Sequence, residues 1–164
     1  MATNKSPMDM INQLSLAEKC VAGGAILMFV TGFLPWWHYS VPAEVRALGA
    51  FGSSSSSGWG DPGSIWSTLA ILVSLFLGGA VLAQRLGNMT LPSLGTTTWG
   101  QAFGGGAAAV VVLMLLKAWR ISAFPEGGFG LGYLVALVAT GVLAYGCYLL
   151  YSADKGTGLP FGRK

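Results

Sequence analysis

His38 is the chain's one histidine, and it closes the stretch GFLPWWHYS at residues 32–40. An imidazole just outside an apolar run could ligate a metal or a tetrapyrrole, or titrate near neutrality. No second histidine and no Asp, Glu or Cys stands near it at ligand spacing, so an interfacial side chain is the preferred reading. His38 is kept as a weak cofactor candidate, with no cofactor and no metal site expected. The two cysteines, Cys20 and Cys147, form neither a CxxC pair nor a Cys/His cluster, so they read as packing thiols rather than as a disulfide framework or a zinc site. Lys117 is the one charge well inside an apolar window. Charges at membrane depth are functional candidates by default, but Trp119 follows closely, and a snorkelling stem that carries the ammonium to outer headgroups is favoured. With Arg120 it forms the candidate site for a small solute or a lipid headgroup. The carboxylates Asp9, Glu18, Glu44, Asp61, Glu126 and Asp154 all avoid the depths of the apolar windows, which argues against a proton relay. No catalytic constellation emerges, and an enzyme is not expected.

The elements that must position these side chains follow from composition. Hydrophobic residues make up 53% of the chain and charged residues 9%, with a mean hydropathy of +0.62, whereas soluble domains carry roughly 25% charged residues. A membrane protein follows. A crossing helix needs about 20 mostly apolar residues, and residues 16–34, 62–83, 99–119 and 131–151 supply four such windows. The expected fold is all-α: an integral membrane four-helix bundle with one longer extracytoplasmic loop at residues 35–61. Ser15 with Glu18 and Thr98 with Gln101 read as capping boxes. Asp61 before Pro62 reads as an N-cap with proline at the first helical position. Residues 1–14 are expected to be cytoplasmic, with Ser6 and Pro7 opening an interfacial helix that sets Met10, Ile11 and Leu14 on one side. Residues 152–164 form a cytoplasmic tail, and a retained first span is preferred to a cleaved signal peptide.

Lys and Arg placement favours cytoplasmic termini, with Lys5, Lys19, Arg85, Lys155, Arg163 and Lys164 inside and Arg46, Lys117 and Arg120 outside. Trp36, Trp37, Tyr39, Trp59, Trp66 and Trp119 then gather at the outer interface, where indole and phenol rings anchor a helix end. Pro35 marks the stop or bend of the first helix. The serine run at residues 53–57 argues for a flexible loop centre, although residues 38–45 alternate enough for a short strand paired near Ala50. The sequence holds 25 glycines. Many lie in or beside the windows, where small residues let backbones approach, and Gly100-x-x-x-Gly104 has the matching spacing. The GFGLG run at residues 128–132 lacks a nucleotide-loop context and reads as a turn into the last window.

FLPWW (residues 33–37), GWGDPG (58–63), LLKAW (115–119) and FGLGYLVAL (129–137) occur in an order that resembles small, uncharacterised four-span bacterial inner-membrane proteins. The resemblance covers roughly residues 14–151 and implies location in the bacterial inner (plasma) membrane, without carrying over any catalytic residue. The leading functional expectation is a non-enzymatic accessory, scaffold or assembly subunit, acting through lateral helix packing and the outer loop. Its partners would be the lipid bilayer and other membrane proteins or further copies of itself. Scattered basic residues give no nucleic-acid face. A channel or transporter-like protein for a small solute or lipid is the alternative, and a pigment- or haem-binding subunit using His38 is the weaker one.

Overall fold

The computed structural model describes residues 11–40, 44, 47, 53–87, 89, 91–92, 94–124 and 127–157. The proposed helix around Ser6, the segment near Ala50, Arg46, Glu126, Arg163 and Lys164 lie outside the described residues. Among the described residues four long helices form in chain order: α1 (Leu16–Thr31), α2 (Ser64–Arg85), α3 (Trp99–Ser122) and α4 (Leu131–Thr157). Between them run three short strands, β1 (Pro35–Ser40), β2 (Ser53–Ser57) and β3 (Gly127–Phe129). The expectation of an all-α fold is thereby corrected: the strands form an antiparallel sheet in the order β2-β1-β3.

Three of the helices, α2, α3 and α4, are long and apolar enough to cross a membrane. The first helix has 16 residues, a rise of about 24 Å at 1.5 Å per residue, and ends before the window read from the sequence because Gly32 caps it and the chain turns toward β1. Large apolar side chains point outward from all four helices, among them Ile26 and Val30, Leu72 and Phe76, Val112 and Leu115, and Leu134 and Val138. Soluble monomers rarely expose so continuous an apolar surface.

Each helix packs on two neighbours, α1 on α2 and α4, and α3 on α2 and α4. Glycine sets those spacings. A Cβ built on Gly24 would stand 2.9 Å from the Leu143 backbone nitrogen, one on Gly78 would stand 2.6 Å from Ala25 Cβ, and one on Gly146 would stand 2.8 Å from the Ala17 carbonyl oxygen. These close approaches need the missing side chain, as membrane helix contacts commonly do. One buried cluster, around Val21, Val81, Phe103 and Leu143, fills the half of the bundle nearer Ser15. A second, around Met28, Trp36, Ile71, Met114 and Tyr133, fills the half beneath the sheet.

Both capping boxes form. Glu18 N–H donates to Ser15 Oγ at 3.3 Å, and Ser15 N–H donates to Glu18 Oε2 at 2.8 Å. The Thr98 and Gln101 pair does the same at 3.2 and 3.1 Å. The start of α2 differs from expectation, since its N-cap is Gly63 in the left-handed region at φ +73°, with no side-chain cap bond. Asp61, expected at the N-cap, instead stands two residues before it and accepts from the Ser64 N–H at 3.4 Å.

Candidate functional site: the sheet end of the bundle

The sheet seats its central strand on the bundle through Trp36. Pro35 pairs with Ser57 and Trp37 with Ser56, so Trp36 is the extra residue of a β-bulge. A bulge re-aims a side chain out of the normal alternation, and here it sends the indole inward, where its exposure is 0%. Trp36 Nε1–H donates to the Thr31 carbonyl at 2.6 Å, and the Trp36 carbonyl accepts from Gly130 N–H at 2.8 Å. Its ring meets Tyr133 edge-on, with centroids 5.7 Å apart, and the Tyr133 hydroxyl donates to the Met114 carbonyl. The interfacial-anchor reading of Trp36 is corrected: a buried indole needs a partner for its N–H, and the end of α1 provides one.

The flanking strands suit an aromatic centre. A Cβ on Gly127 would lie 2.3 Å from Trp37 Nε1, and one on Gly128 would lie 2.7 Å from His38 Cε1. The side chains of Trp37 and His38 therefore lie across the two glycines of β3. On the other side His38 pairs with Ser55 and Tyr39 with Ser54. The serine run is thus a regular strand rather than a flexible centre, and the GFGLG run contributes strand β3 before its turn. His38 itself is exposed. Among the described residues no cluster of His, Cys, Asp or Glu could hold a metal ion.

Lys117 lies under this cap. It is 0% exposed, its ammonium donates to the Gly60 carbonyl at 3.0 Å, and it lies 5.9 Å from the centroid of the Trp36 ring. The snorkelling reading is corrected, because the loop from β2 to α2 folds over the stem and supplies the acceptor that headgroups or water would otherwise provide. Burying an ammonium is costly unless it is hydrogen-bonded. The same loop is tied down by Ser67 Oγ, which donates to the Gly58 carbonyl, and by Gly58 N–H, which donates to the Gly32 carbonyl at 2.9 Å. Asp61 remains exposed. The Ser64 backbone N–H, and then the Ser64 hydroxyl, hold its carboxyl below the usual carboxylate value.

The remaining predicted residues surround this core. Trp119 is exposed, with the Arg120 guanidinium 5.9 Å from its ring. Arg120 also packs against Gly63, where a Cβ would stand 3.1 Å from Arg120 Cβ. Trp59 joins Phe29 and Phe33 at centroid distances of 6.2 and 5.9 Å, Trp37 stacks on Tyr39 at 6.0 Å, and Trp66 is half-buried beside Gly63. Lys117 and Arg120 are therefore not joined in one open site, since the first is enclosed and the second is at the surface.

At the opposite end the structure brings together residues that no local pattern pairs. Glu18 is 1% exposed, and its second carboxylate oxygen accepts from Arg85 Nε at 2.5 Å, tying the start of α1 to the end of α2. The Thr98 hydroxyl donates to the Asp154 carboxylate, tying α3 to α4. Gly100 faces Asp154 and Gly104 faces Tyr151, so both glycines serve the contact between α3 and α4 inside one bundle. Both thiols are free, and Cys20 packs on Gly146 of α4. Three buried helix hydroxyls bond to backbone: Ser74 to the Ala70 carbonyl at 2.7 Å, Thr140 to that of Ala136 at 2.8 Å and Thr31 to that of Met28 at 2.9 Å. No protein-family model, curated protein or solved structure matches this chain.

Proposed function

We propose that the protein is a non-enzymatic, four-span integral membrane subunit that scaffolds or assists a larger membrane assembly, presenting the three-stranded cap as its contact platform. The observation that carries this reading is the attachment of the cap. Trp36, Lys117, Ser67 and Gly58 fasten it to three different helices or their ends, which gives a loop-borne surface a fixed geometry. The interior beneath it is filled by fully buried Met28, Ile71, Val110 and Ala139, a packing more suited to a rigid support than to solute passage. In this reading α1 crosses with the other three helices, helped by the apolar turn at Phe33 and Leu34, and both termini are cytoplasmic. The resemblance to small four-span proteins of the bacterial inner membrane is part of the same proposal, as is association with other membrane proteins or further copies of the chain.

Mild-detergent extraction from the native membrane, followed by native mass measurement, tests it. A stoichiometric partner or homo-oligomer is expected. A solitary chain, with flux of a small solute in liposomes, would replace this reading with the channel or transporter alternative.

A further inference from the structure

Between the start of α3 and the end of α4 lies an open groove of about 440 Å³, with Gly104, Gly105 and Ala144 among its lining, and with Gln101, Tyr148 and Tyr151 around it. Ligand sites commonly occupy about 300–1,000 Å³. The groove exists because α3 has two adjacent glycines where α4 leans on it: Gly105 has nothing within 4 Å of a built Cβ, and Gly104 only reaches Tyr151 at 3.6 Å. Both helices are long and apolar enough to cross a membrane. With α3 and α4 across a bilayer, the groove would open toward acyl chains near the polar ends of these helices.

The chemistry changes at that end. Gln101 uses its side-chain oxygen to cap α3, which leaves the amide N–H groups as donors. Lys155 places its ammonium 4.6 Å from the centroid of the Tyr151 ring, a cation beside the groove. The nearby Asp154 carboxylate is engaged by the Thr98 hydroxyl. An apolar trough that ends in an amide and an ammonium matches one molecule with an alkyl tail and an anionic head.

We infer that this groove binds a glycerophospholipid, one acyl chain lying over Gly104 and Gly105 and the phosphate meeting Lys155 and Gln101. The inference requires α3 and α4 to cross a bilayer but is independent of the accessory role, so the two stand or fall separately.

The test is native mass spectrometry of the full chain in mild detergent, titrated with phosphatidylglycerol or with diacylglycerol of the same acyl chains. Wild-type protein is expected to hold phosphatidylglycerol preferentially. Gly105→Leu, whose Cβ has open space within 4 Å and whose larger side chain occupies the groove, should lose that adduct. Lys155→Gln should weaken it about tenfold, as expected for a lost charge-assisted contact, and should narrow the preference over diacylglycerol. Gly79→Leu, whose built Cβ also has nothing within 4 Å but which lies on α2, should behave as wild type. Equal binding of both lipids by wild-type protein, or unchanged phosphatidylglycerol adducts in Gly105→Leu, would overturn the inference. Unchanged adducts together with conversion of a dimer to a monomer would assign the groove to a second copy of the chain instead.

Discussion

The Lys117 ammonium donates to the Gly60 carbonyl at 3.0 Å from a fully buried position, so a residue of α3 holds the loop that leads from the sheet into α2. Losing a hydrogen bond to a charged group costs about 1.5–3 kcal/mol. Lys117→Met should therefore loosen residues 58–64 while leaving the helices formed. Amide exchange in that segment is expected to accelerate, with exchange in the middle of α2 and α3 unchanged.

Trp36 makes a separate contribution, because it fills the space between the sheet and Tyr133 and also satisfies the Thr31 carbonyl. Truncating a buried tryptophan to alanine costs about 3–5 kcal/mol. Trp36→Ala should sharply lower the thermal midpoint in detergent, whereas Trp119→Ala, at an exposed ring, should change it little.

Glycines facing a neighbour should behave unlike glycines facing outward. Gly24→Ala drives a Cβ against Leu143, while Gly23→Ala meets nothing within 4 Å. Overpacking a close contact costs about 1–3 kcal/mol, and replacing an exposed helical glycine with alanine gains about 1 kcal/mol from helix propensity. Thermal unfolding of the two variants should move in opposite directions.

Acid sensitivity at the start of α2 follows from Asp61. Its carboxyl is held below 3.8 by the Ser64 backbone N–H and hydroxyl, so the folded state favours the charged form. That contribution is present above the unfolded value and disappears as pH falls through the lower, folded one. Exchange at the Ser64 amide should rise on that acid limb, and Asp61→Asn should remove the dependence.

The capping boxes were legible because both partners lie three residues apart, and the apolar windows because hydropathy is summed along one segment. The sheet was not, since β1 pairs with Gly127–Phe129 from far along the chain, and apart from Phe129 its flanking strands are serine and glycine, which have little intrinsic strand preference. Adjacent tryptophans gave no sign that Trp36 would turn inward while Trp37 remained half-buried, because the bulge that separates them depends on the register with Ser56 and Ser57. Lys117 was recognisable as unusual, but its acceptor is a backbone carbonyl, which no side-chain pattern encodes. The pairing of Glu18 with Arg85 was hidden in the same way, since a capping glutamate already has a local role.

The most direct test of the platform proposal is site-specific photo-crosslinking in the native membrane, with the photoreactive residue at Ser55 on the cap and, for comparison, at Val138 on the apolar face of α4. Cross-linked protein of defined mass from Ser55, lost when Trp36→Ala unseats the sheet, is the expected result. Absence of any protein adduct at Ser55, with reaction limited to lipid at Val138, would contradict the assignment of the cap as a contact surface.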